Sequence, residues 1–211
     1  MDIAPRIPTP VGLKPARADA SLRAVRHVSL DELDAGLDTV RAAPTELGTL
    51  ELIVRRPAPG KREVLATGAL DLREGLLGDR WKPKRASGGK QRDPGLQLTV
   101  MSARMAALVA GGKDHERWAQ AGDQLYLDFD ISRANLPDRS RLAIGSAVLE
   151  VSPTPHTGCG KFIRRFGVDS MKLISSDRGR ELRLRGLIAH VVTPGTVTQG
   201  DVVRKLAPAA R

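Results

Sequence analysis

The chain is short of cysteine and of aromatic residues. Of 211 residues only Cys159 is a cysteine. One thiol forms no internal disulfide, which excludes an oxidised secreted scaffold. Nor can it alone supply a four-thiolate iron–sulfur centre or a four-cysteine zinc site. Three Phe, two Trp and one Tyr are too few for the stacking platforms of single-strand nucleic-acid binders. Apolar runs long enough for a membrane span, roughly 18 to 20 residues, are also missing. The first twenty residues carry four prolines and no apolar core, so no signal peptide is expected there. These absences point to a reduced, cytoplasmic protein.

What is present is charge, and it is unevenly placed. There are 34 Lys and Arg against 24 Asp and Glu, a net charge of +10. The segment from Gly78 to Arg92 carries six basic residues and one acid, and that from Cys159 to Arg185 carries eight and three. Each is net +5, and the rest of the chain is neutral. Two such segments form either one anion-binding face or two solvated loops. No basic heptad, zinc finger or RNA-recognition signature accompanies them, so nucleic acid is not the expected partner. With 41% hydrophobic residues the chain can build one packed domain.

Residues 1–28 read as a Pro-rich tail without periodicity. Ser29 and Glu32 then form a capping box, and Leu33, Leu37 and Val40 share one face of a helix that Pro44 ends. Strands are expected at Leu50 to Val54, Val64 to Leu70 and Leu96 to Met101. Ser102 caps a short helix stopped by Gly111 and Gly112. A polar helix follows through His115 and Trp118. The alternating Leu125 to Phe129 reads as a half-buried strand. Arg141 to Ile144 and Ala147 to Val151 flank a Gly145-Ser146 turn, and Leu187 to Val192 is nearly all apolar. Many short strands with few short helices predict a mainly β fold, a barrel with helical insertions.

Several motifs occur in order: Glu74-Gly75-Leu76-Leu77-Gly78-Asp79-Arg80, Asn135-Leu136, Leu142-Ala143-Ile144-Gly145, Pro155-His156-Thr157-Gly158-Cys159, Arg185-Gly186, and Pro194-Gly195 with Gly200-Asp201. The ordered set, with a single downstream cysteine, resembles the MOSC domain, named for the C-terminal domain of molybdenum-cofactor sulfurases. The resemblance runs from about Thr49 to Lys205 and matches the short stand-alone bacterial kind. It implies a barrel related to the pyruvate kinase barrel domain at 49–206, an N-terminal helix at 29–48, and a tail at 207–211. Trp81 stands where many relatives have His or Lys.

The resemblance also implies a site. Cys159 would ligate the molybdenum of a molybdopterin cofactor, and His156 would join it in catalysis. Gly78, Asp79, Arg80, Asn135, Thr157, Gly158, Lys161, Arg165 and Arg185 would meet the cofactor. Some relatives reduce N-hydroxylated bases. Others hand sulfur to the cofactor with a fused pyridoxal-phosphate desulfurase domain, for which this chain has no room. A separate electron-donor reductase or sulfur-donor desulfurase would be the partner. No pyridoxal phosphate, haem or iron–sulfur cluster is expected within the chain. The oligomeric state is not set by the sequence.

The residues give their own chemistry. The thiolate is the reactive form of cysteine, and His156, Lys161, Arg164 and Arg165 lie near enough in sequence to favour it. A lone cysteine is otherwise a small buried apolar residue. His156 can bond a ligand, activate the thiol or deliver a proton, or simply shape the turn after Pro155. Thr157 offers a hydroxyl to an anion or to the turn. Arg80 can grip a phosphate in bidentate fashion, with Lys82, Lys84 and Arg85 extending the site. Asp79 serves the ligand, orients Arg80 or caps the turn. Asn135 bonds a cofactor or braces the loop before Pro137. Arg185 reaches the same site or closes the barrel end. His27, His115 and His190 show no metal spacing. Three functions follow: an oxidoreductase acting on small N-hydroxylated substrates, a sulfur carrier through a Cys159 persulfide, or a non-enzymatic anion- or nucleic-acid-binding barrel.

Overall fold

The computed structural model describes residues 26–81 and 93–207. Two short helices, α1 (Leu30–Ala35) and α2 (Leu37–Arg41), lead into strands β1 (Leu47–Arg55), β2 (Glu63–Leu65), β3 (Thr67–Asp71) and β4 (Gly75–Leu76). Strand β5 (Leu98–Ser102) is followed by α3 (Ala103–Ala110), α4 (His115–Ala119) and β6 (Leu125–Asp128). The hairpin β7 (Arg141–Ile144) and β8 (Ala147–Val151) precedes helices α5 (Gly160–Ser175) and α6 (Asp177–Glu181). Strands β9 (Leu187–Thr193), β10 (Gly195–Thr198) and β11 (Val202–Leu206) complete the order.

Seven strands close into a barrel in the order β11, β7, β8, β9, β5, β6, β1, with β1 pairing back to β11. All neighbours are antiparallel except β5 and β6, so the barrel is mixed. Closure satisfies both edges that an open sheet would leave unpaired. Strand β2 extends β1 outside the ring, and β10, β3 and β4 form a small separate sheet. The mainly β barrel with short helices is the expected fold class.

The wall made by β1, β5 and β6 is apolar on both faces. Leu50, Ile53, Val100, Leu125 and Leu127 fill the barrel interior. Leu52, Val54, Met101 and Tyr126 face a second core with Leu33, Leu37, Val40, Trp118, Phe162 and Phe166. The register of β1 on β6 shifts between Leu50 and Leu52, and this bulge lets Leu50 and Ile53 share one face. Two cores explain why β6 departs from the expected half-buried alternation. Its outward Tyr126 is covered by helices and donates its hydroxyl to Trp118 O at 2.7 Å.

The capping box at Ser29 and Glu32 forms as expected. The single helix expected after it is two, because the chain turns at Gly36, where a Cβ would lie 2.3 Å from Leu108 Cδ1. The one strand expected from Val64 to Leu70 is also two, β2 and β3, and they belong to different sheets. The expected tail overreaches slightly: Val28 is buried in the second core. Among the described residues no helix is long and apolar enough to cross a membrane.

Candidate functional site

The loop from Ser152 to Cys159 leaves β8 and delivers Cys159 to the N-cap of α5 in an extended conformation. Gly158 lets this loop lie on the helix, since a Cβ there would meet Met171 Sδ at 2.5 Å. Cys159 is exposed. Its partial burial would raise the thiol pKa. Backbone N–H groups of Phe162 and Lys161, with the charges of Arg185 and Lys161, outweigh this and hold it below its ordinary value. The thiolate is therefore more accessible than in a free cysteine, although the sulfur makes no capping hydrogen bond.

Cys159 opens on a cavity of about 480 Å3. Arg56, Arg62, Arg80, Arg164, Arg165, Arg185 and Lys161 line it, with Asp79 as the one lining acid. Arg80 of the first basic segment thus meets Lys161, Arg164, Arg165 and Arg185 of the second, while Arg56 and Arg62 belong to neither. Lys82, Lys84 and Arg85 lie outside the described residues. Among the described residues Arg62, Arg80, Arg164, Arg165 and Lys161 have no carboxylate partner. Arg62 bonds the carbonyls of Ala119 and Lys61, and Arg165 bonds that of Gln120. Burial and then the charges of Arg165 and Arg56 push the Arg62 pKa down. Gathering like charges is unfavourable, and an anion in the cavity would relieve it.

Behind the cavity lies a buried triad. Arg185 donates from Nη1 to Asp123 Oδ2 at 2.8 Å and from Nη2 to Ala121 O at 3.2 Å. Its guanidinium sits 5.1 Å over the Phe162 ring. His156 Nδ1 stands 3.5 Å from Asp123 Oδ1. Both of those atoms, and Arg185 Nε, are buried without a hydrogen bond. Burial, then the charge of Arg185, pushes the His156 pKa down to about 4 against the pull of Asp123. His156 and Arg185 also line a second, smaller cavity of about 150 Å3 on the other side of the loop. Thr157 and Gly158 line that one and not the cysteine cavity.

The structure reassigns three of the expected contacts. Asp79 is fully buried at its carboxylate and accepts from Arg56 N, Nε and Nη2 and from Trp81 N. It orients Arg56, not Arg80, and caps the turn. Asn135 lies outside both cavities. Its Nδ2 donates to Thr45 O and Asp130 O, and its Oδ1 accepts from Lys205 Nζ at 3.1 Å, so it braces a loop. Gly78 lines neither cavity. Its φ of +77° is what the turn needs, and Arg55 fills the space beside it.

Sequence reading missed Arg56, Arg62 and Asp123. Arg56 follows an apolar strand and Arg62 a turn, places where charge is ordinary. Asp123 follows Gly122 and reads as turn chemistry, and nothing local marks it as the buried partner of a residue 62 positions away.

The closed mixed barrel with short helices has the fold of MOSC-type barrels. The chain is similar in structure to the YuaD protein of Bacillus subtilis, at 16% identity over 74% of this chain and 94% of that one, with a TM-score of 0.52. It is similar also to YiiM of Escherichia coli, at 17% identity over 77% and 72%, with a TM-score of 0.50. At these identities the likeness is one of fold. No protein-family profile and no curated protein matches the sequence.

Proposed function

We propose that this is a molybdenum-cofactor-binding MOSC protein that reduces small N-hydroxylated substrates. One observation supports it above the others: an exposed thiol with a lowered pKa stands in a cavity where five cations lack a carboxylate partner among the described residues. Among the described residues no group of three or more His, Cys, Asp or Glu can hold a bare metal ion. A metal arriving already chelated by an organic anion needs only one protein ligand, and a soft thiolate suits it. The chain therefore fits the cofactor by its donor set and its charge.

Cys159 would hold the metal, and Arg62, Arg80, Lys161 and Arg165 would hold the cofactor's anionic part. When bound, the cofactor supplies two-electron chemistry at an N–O bond, with electrons from a separate reductase. The guanidinium of Arg185, held by Asp123, lends its charge to the thiol. His156 sits neutral at the back wall and can accept a proton or a hydrogen bond. Trp81 and Phe162 provide apolar wall.

The test is the molybdenum and pterin content of protein purified from a cofactor-competent host, beside Cys159→Ala. Near-stoichiometric metal in the wild type, lost in the variant, is expected. An empty wild type, where a reference molybdoenzyme is loaded, would overturn the reading. The exposure of Cys159 favours a second one, a persulfide passed to a metal cofactor. Intact-mass detection of one extra sulfur, removed by dithiothreitol, identifies it. Binding of nucleic acid that falls steeply with salt and survives Cys159→Ser would instead indicate a plain anion-binding barrel.

A further inference from the structure

We infer that Asp123 is a positioning residue that fixes His156 as its Nδ1–H tautomer, so that a bare Nε2 acceptor faces ligand. The argument starts from two buried atoms. His156 Nδ1 and Asp123 Oδ1 are 3.5 Å apart, and neither has any other hydrogen-bond partner. The other oxygen of Asp123 is committed to Arg185, so the carboxylate cannot turn away.

A neutral imidazole carries its proton on one nitrogen only. With the proton on Nε2, a lone pair on Nδ1 would face a buried carboxylate oxygen, and both would stay unsatisfied. With the proton on Nδ1, an N–H faces that oxygen and a small approach completes the bond. The neighbouring groups favour the neutral ring. Arg185 and Arg56 oppose a second proton, and burial opposes it more.

Nδ1 is sealed from solvent, so the 13% of the side chain that is exposed belongs to the rest of the ring. Room for the ring is made by Gly186. Its φ is +100°, and a Cβ there would lie 3.3 Å from His156 Nδ1 and 2.3 Å from Val100 O. The Arg185-Gly186 pair thus has two tasks: Arg185 anchors Asp123 and Gly186 leaves space for the ring that Asp123 orients.

The consequence concerns recognition. The cavity's arginines and lysine present donors only. His156 lines the same cavity, and an Nε2 without a proton would add an acceptor to its wall. The ligand that fits offers an N–H or O–H to His156, as an N-hydroxylated substrate does. This last step rests on the reading proposed above, but the tautomer does not.

The experiment is long-range nitrogen–proton correlation of the imidazole rings in nitrogen-15-labelled, cofactor-free protein at neutral pH. His156→Gln identifies the resonances. The expected pattern is a protonated Nδ1 and an unprotonated Nε2 in the wild type, with Nε2–H dominant in Asp123→Asn. A wild-type Nε2–H pattern overturns the inference, and so does an Nδ1–H pattern that survives Asp123→Asn. If the single variant does not fold, Asp123→Leu with Arg185→Met removes both buried charges and the acceptor and carries the same test. A protein that never takes up molybdenum would defeat the proposed function and leave this result standing.

Discussion

Two polar clusters of the molecule use the same kinds of residue in different ways. In one, Arg183 donates to Leu136 O at 2.6 Å and to Asp138 Oδ1 at 2.7 Å, while Asn135 ties Thr45, Asp130 and Lys205 together. No buried polar atom of Asn135 or Arg183 lacks a partner. In the other, Asp123, His156 and Arg185 leave one buried atom each without one. Folding alone rewards satisfied atoms, because a buried orphan costs about 1–3 kcal/mol. The first cluster is therefore a brace; in the second, His156 Nδ1 and Asp123 Oδ1 are left to each other, and Arg185 Nε has no partner among the described residues.

That contrast can be broken in several places. The largest effect is expected at Cys159→Ala, which should abolish cofactor retention and turnover. Its melting temperature should stay near that of the wild type, because the residue is exposed. Loss of fold with loss of metal would place Cys159 with the braces instead. Next is Asp79→Ala, a lining residue whose work is structural. It strands the guanidinium of Arg56, which is only 19% exposed, and should cost about 3–5 kcal/mol in urea unfolding.

The acid limb of stability comes third. His156 is held at about 4 in the fold and returns to the ordinary imidazole value of 6.5 when unfolded. Above the latter value the neutral ring is favoured in both states and the full contribution is present. As pH falls, the unfolded chain binds the proton first, and stability drops until the folded pKa is passed. The whole limb is worth about 3 kcal/mol, and His156→Gln should flatten it in pH-dependent melting. The smallest effect is Asn135→Ala, about 1–2 kcal/mol of stability with the alkylation rate of Cys159 unchanged. A changed thiol rate would move Asn135 from the brace to the site.

The sequence pattern carried the fold far. The capping box at Ser29, the Ser102 cap and the β7–β8 hairpin are local devices, written in neighbouring residues. The site was legible where motif and charge coincide, at Cys159, Arg80, Lys161, Arg165 and Arg185. It was illegible where a residue's role depends on a distant partner. Asp79 and Asn135 look alike in a motif whether they hold a ligand or a loop, and only their bonds to Arg56 and Lys205 decide it. The second core hid in the same way. Tyr126 reads as a solvent-facing strand position until helices from elsewhere in the chain cover it.

Helix α5 breaks at Gly167, where φ is +89° and the space a side chain would need is taken by His27, 2.8 Å away. Every residue this helix contributes to the cysteine cavity lies before the break: Lys161, Phe162, Arg164 and Arg165. Met171, Leu173 and Ile174, after it, pack the second core. The part before the break thus serves both cavity and core, the latter through Phe162 and Phe166, and the part after it serves the core alone. A lineage could retune what the cavity accepts by rewriting Lys161, Arg164 and Arg165, three positions of one helical segment that take no part in that core.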